Sequence, residues 1–193
     1  MLPFGHMGIG SKLASPWSRD LSKPALLIGT ILPDLIDKPL YYILSFATGK
    51  SGAALGIISS TRTLGHTAIC LLLITGAAMI WRSRWLAALA MGVSTHLFLD
   101  NLGDTLSVYF DTHVSGERSA LVALLWPFLK ANYQFAIAPF ANVQEHAQRS
   151  FNGVTIGAEI VGTAILGWDY WKNRHESEIM QLLLLRRRHK KRR

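Results

Sequence analysis

His66 and the Asp100 of His96-x-x-x-Asp100 lie at matching distances, about 17 residues each way, from Ser83 in the basic turn Arg82-Ser83-Arg84. If a helix runs up to Trp81 and another returns from Trp85, a rise of ~1.5 Å per residue brings His66 level with Asp100. His96 and Asp100 are four apart and share one helical face. Imidazole nitrogens and a carboxylate converging from two helices form the ligand set of Zn²⁺ or a similar divalent ion. The blander alternative is a hydrogen-bonded His–Asp pair closing a helix end. The matching height of His66 favours the ligand reading.

The N-terminal region repeats this geometry. Reflecting His6 about Asp20 lands on Asp34, so two hairpins with basic turns deliver His6, Asp34, His66, His96 and Asp100 to one level. Asp34 and Asp37 interrupt an apolar segment, where each charge costs ~2.5–3.5 kcal/mol on insertion scales. Asp34 is read as a ligand, and Asp37 as a ligand or a general acid/base. Arg62 precedes an apolar run that Thr63 can cap, a place suited to holding a phosphoryl oxygen. An interfacial arginine reaching headgroups explains Arg62 almost as well. Thr67, beside His66, is an additional candidate. Glu159, inside a later apolar stretch, needs a partner, either Arg62 or the metal cluster.

Positioning these groups falls to hydrophobic helices. Half of the 193 residues are apolar and 17% are charged, against roughly 25% in typical soluble proteins, and the mean hydropathy is positive. Seven basic residues in Arg186–Arg193 account for most of the net charge of +8, leaving the preceding chain near neutral. The expected fold is an all-α integral membrane bundle: residues 1–178 form one embedded domain and 179–193 a basic cytoplasmic tail. Leu64–Trp81, Trp85–Leu102 and Val154–Trp171 read as spans of about 18 residues, at the short limit for crossing a bilayer. Tryptophans flank the arginines at 82 and 84, and the positive-inside rule puts these, Lys172, Arg174 and the tail on the inner side. The metal site then faces outward. Met7–Ser15 and Pro24–Leu32 are read as short half-immersed helices with a break at Pro16–Asp20. Pro33 and Pro39 argue against one continuous helix over Leu26–Phe46. Gly103–Ser119 reads as a loop, and Ala120–Ala141 as re-entrant or peripheral. The single Cys70 cannot form an intrachain disulfide, and the N-terminal stretch lacks a signal-peptide core.

Other groups carry less. His113-x-x-x-Glu117 has metal-like spacing, but Gly116 argues for a solvated loop, and Glu145-His146 reads as surface. Glycines 153, 157 and 162 suit helix packing. No phosphate-binding glycine loop, nucleophile elbow or zinc finger is present in the sequence, so no cofactor-binding residues are assigned.

Taken together, an early His6, Gly29-Thr-Ile-Leu-Pro33-Asp34-Leu-Ile-Asp37, Arg62-Thr-Leu-Gly-His66-Thr67 and Ser94-Thr-His96-Leu-Phe-Leu-Asp100 resemble the bacterial inner-membrane metal-dependent hydrolase family. This YdjM-like family is also labelled a LexA-binding, inner-membrane-associated hydrolase. The likeness covers residues 6 to about 104. The family is itself distantly similar to zinc-dependent phospholipase C and single-strand-specific zinc nucleases. The resemblance implies a His6, Asp34, His66, His96, Asp100 metal cluster and multi-pass placement in the inner membrane. The phospholipases use a later His-x-x-x-Glu pair, a spacing met here only by His113/Glu117.

The function expected is a membrane-embedded hydrolase with one or two Zn²⁺ ions, Mn²⁺ or Fe²⁺ being equally suited to these ligands. Its substrate would be a phosphoester of a lipid or lipid-linked compound, attacked by a metal-activated water. Arg62 would steady the phosphoryl charge and Asp37 would protonate the leaving oxygen. The alternative is a non-catalytic membrane adaptor whose tail, Arg186–Arg193, binds an anionic leaflet, an acidic protein or nucleic acid. Lipid rather than nucleic acid is the partner favoured. A small ion carrier ranks last, since no repeated pair of spans supports alternating access.

Overall fold

The computed structural model describes residues 2–58, 60–110, 123–126, 128, 151 and 153–190. Among these the chain is all-helical: α1 (Pro3–Ala14), α2 (Lys23–Gly29), α3 (Leu32–Thr48), α4 (Ala68–Ile80), α5 (Arg84–Phe110) and α6 (Gly153–Lys190), with 3₁₀ segments at Gly52–Ile58 and Leu64–His66. Residues 113, 117, 145 and 146 and most of 120–141 lie outside the described residues.

Local chemistry explains the boundaries. Helix α1 starts on Pro3, whose fixed φ suits a first turn, and stops at the residues before Pro16. Ser22 opens α2 by accepting from the Ala25 N–H. The break expected between Leu26 and Phe46 falls at Thr30–Ile31. Pro33 sits in the first turn of α3, where no N–H is needed, and Pro39 is carried inside that helix without ending it. Gly49, at φ 65°, closes α3 in the left-handed conformation that a side chain disfavours.

The central pair departs from expectation at its start. Leu64–His66 is a 3₁₀ turn, and α4 begins only at Ala68, capped by Thr67 rather than Thr63: the Thr67 hydroxyl accepts from the Cys70 N–H at 3.1 Å. Between α4 and α5 the chain reverses at Arg82–Ser83, with Arg82 at φ 48°. Helix α5 runs past the anticipated stop at Leu102 to Phe110, so Gly103–Phe110 is helical rather than loop. Similarly, α6 continues through the expected domain boundary at 178.

No helix among the described residues is long and apolar enough to cross a membrane. The segment expected to span from Leu64 to Trp81 contains only the 13-residue α4, about 20 Å long. In α5 the apolar run is interrupted by His96, Asp100 and Asn101.

Close backbone approaches hold the bundle. At the α2–α5 crossing, a Cβ on Gly29 would lie 2.3 Å from the Leu89 carbonyl oxygen, and one on Gly92 2.3 Å from that of Leu26. One apolar cluster joins Ala14, Ala25, Leu26 and Ala88, with Leu21 and Met91 against it, and Tyr41, Leu89, Val93, Leu97 and Leu99 are buried besides. Polar groups are buried alongside them: His6, Asp34, Asp37, Thr63, His66, His96 and Asp100 are all inside.

Candidate metal centre

Four stretches of chain meet at this buried polar cluster. Helix α1 supplies His6, α3 supplies Asp34 and Asp37, the Leu64–His66 turn supplies His66, and α5 supplies His96 and Asp100. Charged and imidazole groups are rarely buried unless paired or bound to metal, so their partners decide what the site is.

Two of the three histidines have fixed tautomers. His96 Nδ1 lies 2.8 Å from the Thr30 carbonyl oxygen. A carbonyl only accepts, so Nδ1 carries the proton and Nε2 presents its lone pair. His66 Nδ1 donates to Asp37 Oδ2 at 2.7 Å, with the same consequence. The two Nε2 atoms nevertheless face each other at 3.1 Å. Lone pairs so placed require a positive charge between or beside them, a proton or a metal ion.

The surrounding oxygens fit a metal. Asp100 Oδ2 lies 3.3 Å from His66 Nε2 and 3.7 Å from His96 Nε2, and Asp34 Oδ1 lies 3.7 Å from His66 Nε2. Neighbouring ligand atoms on a tetrahedral Zn²⁺, each about 2.0–2.1 Å from the ion, are ~3.3 Å apart. Two triads, His6/His96/Asp100 and Asp34/His66/His96, bring their ligand atoms within 4.8 Å of one another. His6 stacks on His96 with ring centroids 3.9 Å apart. Its Nε2 approaches Asp100 Oδ1 at 3.3 Å without hydrogen-bonding geometry, so both nitrogens of this wholly buried ring lack a hydrogen-bond partner. A buried imidazole with no hydrogen-bond partner beside a carboxylate fits the donor set of a metal ion.

Electrostatics follow from burial and pairing. Burial pushes the His96 pKa down to about 3, the nearby Asp100 offsetting only part of it, and burial likewise lowers that of His6. For His66 burial also acts downward, but hydrogen bonds to Asp100 and Asp37 outweigh it and raise the pKa, so a proton is retained where a cation would otherwise sit. Burial works against the charge of Asp34 and Asp100. The Lys38 ammonium nonetheless keeps Asp34 below its ordinary value, and the Arg62 guanidinium holds Asp100 well below.

Of the nine residues singled out from sequence, His6, Asp34, His66, His96 and Asp100 converge. Arg62 lies against them, Nε 3.0 Å from Asp100 Oδ2. Asp37 does not suit the catalytic acid role expected of it. It is fully buried behind His66, and its oxygens accept from the Thr63 and Gly65 N–H groups at 2.7 and 2.9 Å as well as from the imidazole. It is a carboxylate that orients a ligand. Thr67 is a helix cap. Glu159 is placed neither at Arg62 nor in the cluster; its oxygens accept from the Phe4 and Gly5 N–H groups. Sequence reasoning missed Lys38, whose Nζ lies 2.6 Å from Asp34 Oδ2. Its position four residues after Asp34 in a helix was the available signal. The Thr30 carbonyl, being backbone, left no such signal.

Comparison with protein-family models, curated protein sequences and solved structures gives no match.

Proposed function

We propose that this protein is a membrane-embedded, metal-dependent hydrolase acting on a phosphoester of a lipid or lipid-linked substrate. The observation that carries the proposal is the 3.1 Å approach of two imidazole nitrogens whose opposite nitrogens are both committed as donors, inside a shell of carboxylates. His66, His96, Asp34 and Asp100 hold the ion, and His6 with the other Asp100 oxygen offers a second position. His96 is shared between the two candidate triads, His6/His96/Asp100 and Asp34/His66/His96, so one or two ions are compatible with the donor set. Zn²⁺ is the ion we favour, with Mn²⁺ and Fe²⁺ also suited to this donor set. When bound, such an ion supplies Lewis acidity and lowers the pKa of a water ligand toward ~7.

The chain's own groups select the substrate. The side chains of Lys38 and Arg62 are 30% and 20% exposed, whereas those of the histidines and Asp100 are at most 3% exposed. An approaching substrate therefore meets Lys38 and Arg62 first, which favours an anionic group there. Arg62 and Lys38 neutralise the ligand carboxylates and stand beside the position of a phosphoryl group. With Asp34 and Asp100 assigned to the ion and Asp37 committed to the His66 segment, protonation of the leaving oxygen falls to solvent or to substrate.

The membrane part of the proposal is supported by where the large apolar residues lie. Leu72, Leu73, Met79 and Ile80 on α4 and, separately, Ile160 and Val161 on α6 are exposed, and exposed apolar groups of this kind mark interaction surfaces. The bundle sits in a bacterial inner membrane by these groups, Arg82, Arg84, Lys172 and Arg174 meeting anionic headgroups, and no helix need cross. The resemblance of the His6, Asp34, His66 and His96-x-x-x-Asp100 motifs to the inner-membrane metal-dependent hydrolase family is in keeping with the same reading.

Protein purified in detergent without chelator is expected to carry a stoichiometric divalent ion and to hydrolyse members of a phospholipid and phosphomonoester panel. His66→Ala is expected to abolish both. Absence of metal from the wild type, or undiminished hydrolysis by His66→Ala, overturns the proposal.

A further inference from the structure

The first turn of α1 is closed by a residue distant in sequence. A helix leaves its first N–H groups without intrahelical partners, and the N-cap of α1, Leu2, makes no side-chain hydrogen bond to them. Glu159 of α6 does so instead. Oε1 accepts from the Phe4 N–H at 3.0 Å and Oε2 from the Gly5 N–H at 2.7 Å, which places a carboxylate on the positive end of the helix.

Glycines make the approach sterically feasible. A Cβ on Gly5 would lie 3.2 Å from Glu159 Oε2, one on Gly8 2.1 Å from the Gly162 carbonyl oxygen, and one on Gly162 2.2 Å from that of Phe4. The backbones of α1 and α6 therefore touch, and any shift of α6 moves the first turn of α1. The residue following Gly5 is His6. Each of the other two imidazoles has its Nδ1 anchored, to Asp37 or to Thr30. His6 has no such hydrogen bond; its ring is oriented by its backbone and by stacking on His96.

We infer that Glu159 is a positioning residue for the His6 ligand, acting through the first turn of α1 and not as a ligand itself. The inference rests on the metal reading above and adds that the His6 half of the site depends on the α6 contact at Glu159, whereas His66 and His96 are anchored at Nδ1 by Asp37 and Thr30.

Cobalt(II) titration of the full chain tests this, with Co²⁺ alone as the probe and its visible spectrum as the report on ligand set. Glu159→Gln keeps the side-chain volume but replaces an acceptor by a donor. It is expected to weaken the affected cobalt site by about 10-fold or more, the size typical of lost supporting contacts around metal ligands. The spectrum should shift as it does in His6→Ala, and adding Glu159→Gln to His6→Ala should change cobalt binding no further. Gly5→Ala, which crowds Oε2, is expected to reproduce the shift in milder form and carries the test if Glu159→Gln does not fold. Cobalt affinity and spectrum unchanged in these variants, or additive losses in the double variant, overturn the inference while leaving the metal reading intact. A wild-type chain that takes up no cobalt removes the metal reading itself, and this inference with it.

Discussion

Asp37 commits both oxygens to the segment that carries His66, two to backbone N–H groups and one contact to the ring. Asp37→Asn would put an amide donor against donors it cannot satisfy. Metal affinity is expected to fall about 10–100-fold, read by competition with a chelating dye; an unchanged affinity would show that His66 is oriented without it. Linkage gives a second outcome for the chelator-treated protein. His96 has a folded pKa of about 3 against 6.5 unfolded. Between those values the unfolded chain binds a proton that the folded chain refuses, so stability declines as pH falls through that window. His6, also lowered, acts in the same direction. His66 acts oppositely: its raised pKa contributes stability present below 6.5 and lost as pH rises through the folded value. Asp100 stabilises above 3.8 and loses that contribution only in stronger acid. Urea midpoints measured on acidification should therefore fall, and His96→Gln should flatten the decline. Parallel slopes in the two proteins would contradict the assignment.

At the scale of helices, glycine does opposite things at different places. Gly92 touches α2 backbone, and this contact is what brings the Thr30 carbonyl to His96. Gly92→Ala must part the two helices, at a cost of about 1–3 kcal/mol, and should weaken metal binding as well. Gly76, inside α4, has open space around it, so Gly76→Ala should gain about 0.5–1 kcal/mol. Thermal or denaturant unfolding of the two variants reads the sign directly. Much of this level was legible in the chain. Ionisable groups in apolar stretches marked the cluster, and the turn at Arg82–Ser83 folds as its composition implies. The start of α4 was misjudged because Thr63 and Thr67 are both competent caps, and only the tertiary pull of Asp37 on the Thr63 and Gly65 N–H groups selects the later one. The partner of Glu159 was likewise invisible, since helix N–H groups are present in every sequence. Pro39 shows the converse: a residue that ordinarily breaks a helix is tolerated when the rest of α3 is well placed.

For the whole molecule, the distribution of polarity is the main fact: His6, Asp34, Asp37, His66, His96 and Asp100 are inside, whereas Leu72, Leu73, Met79 and Ile80 are exposed. Wild-type protein is expected to float with anionic phospholipid vesicles, and Leu72→Glu with Leu73→Glu to remain behind, each charge costing up to ~2.5–3.5 kcal/mol if inserted. Equal flotation of both would place the lipid-facing surface elsewhere. The contact between Glu159 and the first turn also bears on biosynthesis. A nascent chain that has emerged as far as residue 110 already contains all five candidate ligands, yet the helix that steadies the earliest of them has still to be translated. On the proposed reading, the first turn that carries His6 is capped only after a residue 154 positions beyond Gly5 has been translated, so a prematurely terminated product is expected to hold a metal ion less completely than the full chain.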